Sequence, residues 1–105
     1  AKKGQYDKAI SDCKKAIEIN PRFVLAYNNR GFAYSEGKGQ YDKAISDFDK
    51  AIEINPRFAP AYNNRGFVYM VRLENKKKAC SDWKRACELG MCKNYVLAKR
   101  KGYCQ

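Results

Sequence analysis

Histidine is absent from this sequence of 105 residues. Its absence removes the side chain that most often acts as a general acid or base near neutral pH, and it removes the usual nitrogen ligand of zinc. No serine lies in a recognisable nucleophile elbow, and no glycine-rich run has the spacing of a phosphate-binding loop. The sequence therefore predicts a protein that is not an enzyme and that holds no cofactor.

Two further shortages limit the possible partners. No apolar run approaches the roughly 20 residues that a membrane-spanning helix requires. Acidic residues are scarce, with 11 Asp and Glu against 22 Lys and Arg, and the net charge is +11. Residues 72–105 hold 10 basic and 3 acidic residues and carry +7 of this charge (10 − 3). Such a surface attracts acidic partners of any kind, so the charge alone does not distinguish nucleic acid from an acidic peptide.

What the sequence has is a repeat. Residues 4–34 and 39–69 are identical at 26 of 31 positions when they are aligned at an offset of 35. A weaker third copy follows, in which Ala79 and Asp82 match Ala44 and Asp47. A repeat of this length is typical of a solenoid, in which each unit buries its apolar face against a neighbour. Such an architecture favours a binding surface over a catalytic pocket.

The repeat does not start in phase with the chain. Residues 1–3 align with residues 36–38, in the middle of the unit. We therefore expect this chain to be a fragment of a longer protein. No signal peptide is recognisable, and a targeting segment could have been lost with the upstream residues.

Each unit contains two patterns of helical period. In residues 40–54, apolar residues recur at spacings of three and four, and Asn55-Pro56 ends the pattern. Gly31 and Gly66 lie inside helical patterns, where glycine is unfavourable, so we expect the partner helix to approach closely at these points. The predicted helices span residues 5–19, 23–36, 40–54, 58–72, 75–89 and 92–101. The helix at 92–101 is predicted to be a cap, in which Tyr95, Val96 and Leu97 cover the end of the third unit.

These residues resemble the tetratricopeptide repeat (TPR), whose pattern is an aromatic, two residues, Leu-Gly, two residues, Tyr, then Ala-x-x-x-Phe and Pro. In this sequence the pattern reads Tyr27-x-x-Arg30-Gly31-x-x-Tyr34, Ala44-x-x-x-Phe48 and Pro56. The unit is 35 residues rather than 34, and Arg30 and Arg65 stand where the family has leucine. Their aliphatic stems can pack while their charged ends reach water or a carboxylate such as Asp12 or Asp47, a structural role that we favour over recognition of a partner.

The resemblance implies an all-α fold, a right-handed α-solenoid of antiparallel helix pairs. It implies a single domain over residues 1–105, with about two and a half repeats and a C-terminal capping helix. The expected segments are the second helix of a truncated repeat, two full repeats, and a capping helix with a tail; they span 1–21, 22–56, 57–90 and 91–105.

The resemblance also implies a concave groove, lined by the first helix of each pair, that holds a partner peptide. By position, the groove residues are Asn28, Asn29, Phe32, Asn63, Asn64, Phe67 and Met70. A carboxamide can both donate and accept, so Asn29 and Asn64 can replace the hydrogen bonds that a peptide backbone loses on binding. The chaperone-binding subgroup uses Lys and Arg to clamp a C-terminal carboxylate. Asn28 and Asn63 occupy the corresponding positions here, which disfavours that ligand.

The five cysteines allow two interpretations. Cys13, Cys80 and Cys87 align with apolar core positions, so they could be small core residues with reduced thiols in a cytoplasmic protein. Alternatively, helices 75–89 and 92–101 form a hairpin in which Cys87 meets Cys92 and Cys80 meets Cys104. Two such nested disulfides would imply an oxidising compartment, periplasmic or extracellular. A metal site is not expected, because two turns of helix separate Cys80 from Cys87 by about 10.5 Å, too far for one zinc ion.

The sequence therefore predicts a protein-interaction scaffold that binds a protein or peptide, with a preference for an acidic one. The alternative is electrostatic binding of nucleic acid or another anionic surface through the basic C-terminal third. In the longer protein an upstream helix would cover the apolar side of residues 5–19. In this fragment another chain could cover it, so self-association through the first helix is a third expectation.

Overall fold

The computed structural model describes residues 2–105, with side chains from residue 4 onward. No strand occurs among these residues, and the chain divides into two compact units, Ala1–Pro56 and Arg57–Gln105. The boundary between the units coincides with the predicted boundary between segments 22–56 and 57–90. That the whole chain forms one domain stays a prediction, and residue 1 of the predicted segment 1–21 lies outside the described residues.

Unit 1 consists of three helices, which are α1 (Lys2–Ile19), α2 (Val24–Lys38) and α3 (Tyr41–Ile54). Helix α2 packs against both α1 and α3. The sequence predicted that α2 ends before a glycine-rich turn, but the helix continues through Gly37. It ends at Lys38, and the residue that follows, Gly39, caps it with a φ of 63°. Glycine reaches this left-handed conformation without a steric penalty, so Gly39 is the residue that stops the helix.

Unit 2 begins with α4 (Ala59–Phe67), which carries Pro60 in its first turn and continues into a π-helical turn (Val68–Arg72). Helices α5 (Lys76–Glu88) and α6 (Lys93–Arg100) follow, with α5 packed against both α4 and α6. Asn75 caps α5, because its side chain accepts a hydrogen bond from the backbone N–H of Lys78 at 3.1 Å. All six predicted helices are therefore present. The ends at residues 19, 54 and 72 coincide with the prediction, and the others differ from it by one to three residues. The π-helical turn was not predicted.

The core of each unit uses the same four repeat positions. In α3 they are Ala44, Asp47, Phe48 and Ala51, and in α5 they are Ala79, Asp82, Trp83 and Ala86. All eight residues are buried. The alanines let the helices approach closely, the aromatic ring fills the remaining space, and the carboxylate is satisfied by an arginine of the preceding helix. We call this set of four positions the Ala-Asp-aromatic-Ala face.

Gly31 and Gly66 allow the close approach that the sequence predicted. A Cβ atom added at Gly31 would lie 2.7 Å from Cε1 of Phe48, and one added at Gly66 would lie 2.6 Å from Cδ1 of Trp83. The indole of Trp83 is also fixed by its Nε1–H, which donates to the backbone carbonyl of Asn63 at 3.1 Å. The ring therefore cannot move aside without losing this hydrogen bond.

A Gly66→Ala substitution is expected to lower the free energy of unfolding by about 1–3 kcal/mol, because it overpacks a filled site. Gly4→Ala is the matched control, since Gly4 lies in α1 and a Cβ there meets no atom within 4 Å. The control should raise stability by up to about 1 kcal/mol through helix propensity. Urea unfolding followed by circular dichroism measures both, and an equal gain in the two variants would contradict the close-packing account.

The capping helix α6 covers unit 2 differently from the sequence prediction. Ala98 and Cys104 are buried with Trp83, and Tyr95 packs against this cluster. Val96 and Leu97 were expected to cover the unit as well, but they are 47% and 44% exposed. The helical period explains the difference, because Tyr95 and Ala98 are three positions apart and share one side of the helix.

Candidate functional site

Helix α2 presents an exposed apolar face with a carboxamide at its centre. Leu25, Asn29 and Phe32 follow one another at spacings of four and three, so they lie on the same side of the helix. All three are exposed, with Leu25 at 51% and Phe32 at 47%. Large apolar side chains that are exposed in a row, beside a group that can donate and accept hydrogen bonds, form a surface suited to a peptide.

The equivalent face of unit 2 continues into a cavity. Asn64 is half-buried, while Phe67 and Val71 are 37% and 49% exposed. Phe67 and Val71 line a cavity of about 310 Å³ within unit 2. Its walls are mainly apolar; the other lining residues are Met70, Trp83, Asn94, Leu97, Ala98, Lys101 and Tyr103. A cavity of this composition can take an apolar side chain, with the Lys101 ammonium available to an acidic group beside it.

Two of the predicted groove residues, Asn28 and Asn63, have interactions within the protein. Asn28 is buried, with 7% of its surface exposed. Asn63 is half-buried, and its side-chain oxygen accepts a hydrogen bond from Nδ2 of Asn94 at 2.8 Å. The Asn63 side chain therefore joins α4 to α6. The assignment of Asn28 and Asn63 to a contact surface stays a prediction, and it is not carried into the proposal below because Asn28 is buried and the Asn63 oxygen already accepts from Asn94.

The sequence prediction also missed part of the site. Leu97, Lys101 and Tyr103 line the cavity of unit 2, and all three belong to the segment that breaks the repeat. Repeat alignment could not place them, because they have no counterpart in the first unit. Their only signal was composition, since an apolar run at residues 95–98 is followed by a basic run at residues 99–101.

The two arginines at the family's leucine position form ion pairs inside each unit. Nε and Nη2 of Arg30 donate to the two carboxylate oxygens of Asp47 at 2.9 and 2.8 Å. Arg65 donates to Asp82 in the same way, at 2.9 and 2.6 Å. Hydrogen bonding to Asp47 raises the pKa of Arg30 above its ordinary value. These arginines thus satisfy buried carboxylates and are not available to a ligand. Of the two carboxylates considered for Arg30, the structure uses Asp47.

Tyrosine rings flank the guanidinium of Arg30 on the surface of α2. The Cζ atom of Arg30 lies 5.7 Å from the ring centre of Tyr27 and 6.0 Å from that of Tyr34. In unit 2, Arg65 lies 5.7 Å from the ring centre of Tyr62. These distances are within the range of cation–π attraction, so the rings hold each guanidinium in position for its carboxylate.

Four cysteines are joined as two nested pairs in unit 2. Cys80 is bonded to Cys104 with the Cα atoms 5.5 Å apart, and Cys87 is bonded to Cys92 with the Cα atoms 3.8 Å apart. The first pair ties the start of α5 to the end of the chain, and the second closes the loop between α5 and α6. We propose that both disulfides form in the native protein. Cys13 in α1 has a free thiol.

Basic side chains gather at one end of unit 2. Residues 76–78 and 99–101 are all exposed lysines and arginine. The ammonium of Lys76 lies 4.9 Å from the ring centre of Tyr103, so the start of α5 and the end of the chain are close together. The two basic clusters are consequently parts of one positive surface.

Other chemical functions find no support among the described residues. No group of three or more His, Cys, Asp or Glu side chains in residues 2–105 could hold a metal ion. Burial raises the pKa of the free Cys13 thiol, which therefore lacks the low pKa of an activated nucleophile. Within the same residues, no helix has the length and apolar character needed to cross a membrane.

Comparison with known proteins gives the family. A family model described as TPR repeat matches residues 1–36 and 38–70, which is more than half of the chain. No curated protein matches the sequence. Among solved structures, the first TPR of Spaghetti (RPAP3) bound to the HSP90 peptide SRMEEVD has a TM-score of 0.83 and 26% identity. That match covers 97% of this chain and 79% of the other.

Two further solved structures share the fold. MamA has a TM-score of 0.74 and 32% identity over 81% of this chain. A thermophilic TPR protein of Thermus thermophilus has a TM-score of 0.73 and 30% identity over 83% of this chain. This chain covers 48% and 50% of these two proteins, which is about half of their length. With the all-helical structure, these matches confirm the predicted fold class, an α-solenoid of helix pairs.

Proposed function

Since this chain belongs to the tetratricopeptide repeat family, we propose that it is a protein-interaction scaffold that binds partner peptides through the exposed face of α2 and through the equivalent face of α4. Its fold and the peptide-bound state of Spaghetti support a role in protein–protein interaction. The observation that carries the finer proposal is the row formed by Leu25, Asn29 and Phe32, whose apolar members are about half exposed. We propose that Asn29 and Asn64 bond the peptide backbone, and that Phe32, Phe67 and Met70 contact its apolar side chains.

The partner in this proposal is an acidic peptide with at least one large apolar residue. The cavity of unit 2 would receive the apolar side chain, because Phe67 and Met70 form part of its wall. Lys101 lines the same cavity and would attract a neighbouring carboxylate. A C-terminal clamp of the chaperone-binding kind is not part of the proposal, because Asn28 and Asn63 stand where that subgroup has Lys and Arg.

The test begins with peptides selected from a random display library on the wild-type chain. Replacing both Asn29 and Asn64 with alanine should weaken the binding of the selected peptide by about tenfold or more, since each face loses its hydrogen bonds to the peptide backbone. Phe67→Ala should weaken it similarly by removing apolar contact area. Affinities are measured by isothermal calorimetry, and circular dichroism confirms that the variants are folded.

Two controls make this test specific. Gln5→Ala removes an exposed carboxamide of α1 and should leave the affinity unchanged. The peptide SRMEEVD should not bind the wild-type chain measurably, for want of the clamp. If the asparagine variants are folded and bind the selected peptide as tightly as the wild type, these residues are not the binding site.

A second function is favoured by the positive surface of unit 2. We propose as the alternative that the clusters at residues 76–78 and 99–101 bind nucleic acid or another anionic surface. The affinity for a single-stranded oligonucleotide should then fall steeply with salt, by about tenfold or more between 50 and 200 mM. Substituting the three lysines at 76–78 with glutamine should reduce this slope. An affinity that is absent at low salt, or insensitive to salt, would exclude the alternative.

A further inference from the structure

The apolar cavity of unit 2 and its positive surface share residues. Lys101 and Tyr103 line the cavity of about 310 Å³, and Lys101 also belongs to the basic cluster at residues 99–101. The ring of Tyr103 connects this cluster with the start of α5, because the Lys76 ammonium lies 4.9 Å from the ring centre. The cavity therefore adjoins both basic clusters.

Three lysines of the positive surface are held over tyrosine rings of the same unit. The pairs, with the distance from the ammonium to the ring centre, are Lys76 with Tyr103 at 4.9 Å, Lys78 with Tyr69 at 5.3 Å and Lys99 with Tyr95 at 5.3 Å. Cation–π attraction restrains each lysine side chain without neutralising its charge. A carboxylate that binds these lysines therefore costs less side-chain entropy than one that binds freely rotating lysines.

The charge of this surface is not neutralised within unit 2. The unit has three acidic residues, and two of them already pair with arginines of the same unit, as Asp82 does with Arg65. Among the described residues, no side chain of the clusters at 76–78 and 99–101 makes an ion pair. Residues 76–78 also form the first turn of α5, where the helix dipole disfavours cations. The stability of the helix does not account for these lysines, whereas an anionic ligand does.

The cavity favours a peptide as that ligand. Its volume is near the lower limit of about 300 Å³ for ligand pockets, so it suits one or two side chains of a larger partner. Its wall is mainly apolar, and the Asn94 carboxamide in the wall already donates to Asn63. An aliphatic side chain needs no hydrogen bond there, whereas a nucleic-acid base would leave several polar groups of its edge without partners.

We propose that the cavity and the positive surface form one site for a two-part segment of a partner protein. A large apolar residue of this segment enters the cavity, and an acidic run beside it crosses Tyr103 to the lysines of α5. An extended chain advances about 3.3 Å per residue, so about four acidic residues cover about 13 Å of the positive surface. The segment needs no free C-terminus, because side-chain carboxylates supply the charge. This inference rests on the function proposed above and specifies the partner that unit 2 selects.

The test uses two amidated peptides, SGLGEEEEGS and the reverse order SGEEEEGLGS, each labelled with fluorescein at its N-terminus. Each peptide is titrated with the complete chain while fluorescence anisotropy is recorded. We expect at least one order to bind. Replacing its leucine with glycine, or its glutamates with glutamine, should weaken binding by about tenfold or more, because each half then binds without the help of the other.

Two variants of the protein test the two halves of the site separately. Lys76→Gln combined with Lys78→Gln should weaken binding about fivefold or more and leave α5 folded, since it removes cations from the first turn. Leu97→Ser changes an exposed wall residue of the cavity and should weaken binding similarly, but only for peptides that carry the leucine. Circular dichroism confirms that each variant is folded.

The matched control for the lysine variant is Lys14→Gln combined with Lys15→Gln. It removes the same charge from exposed positions of α1 and should change the affinity less than about twofold. The proposal is overturned if neither peptide binds, or if the two lysine variants weaken binding equally, which would indicate general attraction by charge. It is also overturned if Leu97→Ser has no effect. In that case, displacement of the peptide by a single-stranded oligonucleotide would assign the positive surface to nucleic acid.

The same measurements separate this inference from the function proposed above. If peptides selected on the wild-type chain depend on Asn29 and Asn64 while neither two-part peptide binds, the scaffold function holds and only the two-part site is refuted. If a two-part peptide binds as expected while no selected peptide depends on these asparagines, the two-part site holds and the role of the asparagines is refuted.

Discussion

Replacing Asp82 with alanine is expected to lower the free energy of unfolding by about 3 kcal/mol or more. The side chain of Asp82 is 7% exposed and that of Arg65 is 21% exposed, so the pair is largely shielded from water. Without the carboxylate, the guanidinium of Arg65 loses two hydrogen bonds of 2.9 and 2.6 Å in a place where water replaces them only partly. Urea unfolding at neutral pH, followed by circular dichroism, measures the loss.

The sequence supplies its own control for this prediction. Asp12 stands at the same repeat position as Asp82 but is exposed, so Asp12→Ala should change stability by less than about 0.5 kcal/mol. Arg65→Leu, which restores the family's usual residue, should be costly alone because it removes the guanidinium that donates two hydrogen bonds to the buried Asp82. In the double variant Arg65→Leu with Asp82→Ala, the free energy of unfolding should fall by less than the sum of the decreases in the two single variants. Additive losses, or equal losses for Asp12→Ala and Asp82→Ala, would show that the pair is not the cause.

The repeat explains why the ion pairs could be anticipated from the sequence. The charged end of an arginine at a normally apolar position can reach water or a carboxylate, and the arginine and the aspartate both recur at an offset of 35. The sequence left Asp12 and Asp47 as alternatives for Arg30, because both lie on neighbouring helices. Only the geometry decides between them. Helix α2 packs against α1 and α3, yet its arginine points toward α3.

Features outside the repeat could not be predicted in this way. Asn28 and Asn63 share a repeat position. However, the hydrogen bond that Asn94 donates to Asn63 depends on α6, which has no repeat pattern. Position 74 is a second case. Glu74 aligns with Gly39 and adopts a φ of 51°, although left-handed backbone costs a residue with a side chain about 1 kcal/mol or more. Position 74 therefore has the same left-handed backbone conformation as Gly39, although it lacks the glycine from which the sequence could have predicted it.

Loss of the disulfide between Cys80 and Cys104 is expected to cost about 3 kcal/mol, because this bond closes a long loop in the unfolded chain. The two residues are 24 positions apart, and Cys104 is 5% exposed in the cluster that contains Trp83. Cys87 and Cys92 are only 5 positions apart, so loss of that disulfide should cost less, about 2 kcal/mol. Cys80→Ala and Cys87→Ala separate the two contributions when urea unfolding is measured without reductant.

Cys13→Ala is the matched control for both cysteine variants, since Cys13 has no disulfide partner. It should leave the chain as sensitive to reductant as the wild type, whereas Cys80→Ala should remove most of that sensitivity. Mass spectrometry of the unreduced protein tests the premise directly, because each disulfide lowers the mass by two hydrogen atoms. Native protein with four free thiols in residues 80–104 would refute the proposed disulfides and favour a reducing, cytoplasmic environment. Linked cysteines would instead indicate an oxidising compartment, periplasmic or extracellular. There the Cys80–Cys104 bond would hold Tyr103 and Lys101 at the cavity where the partner peptide is proposed to bind.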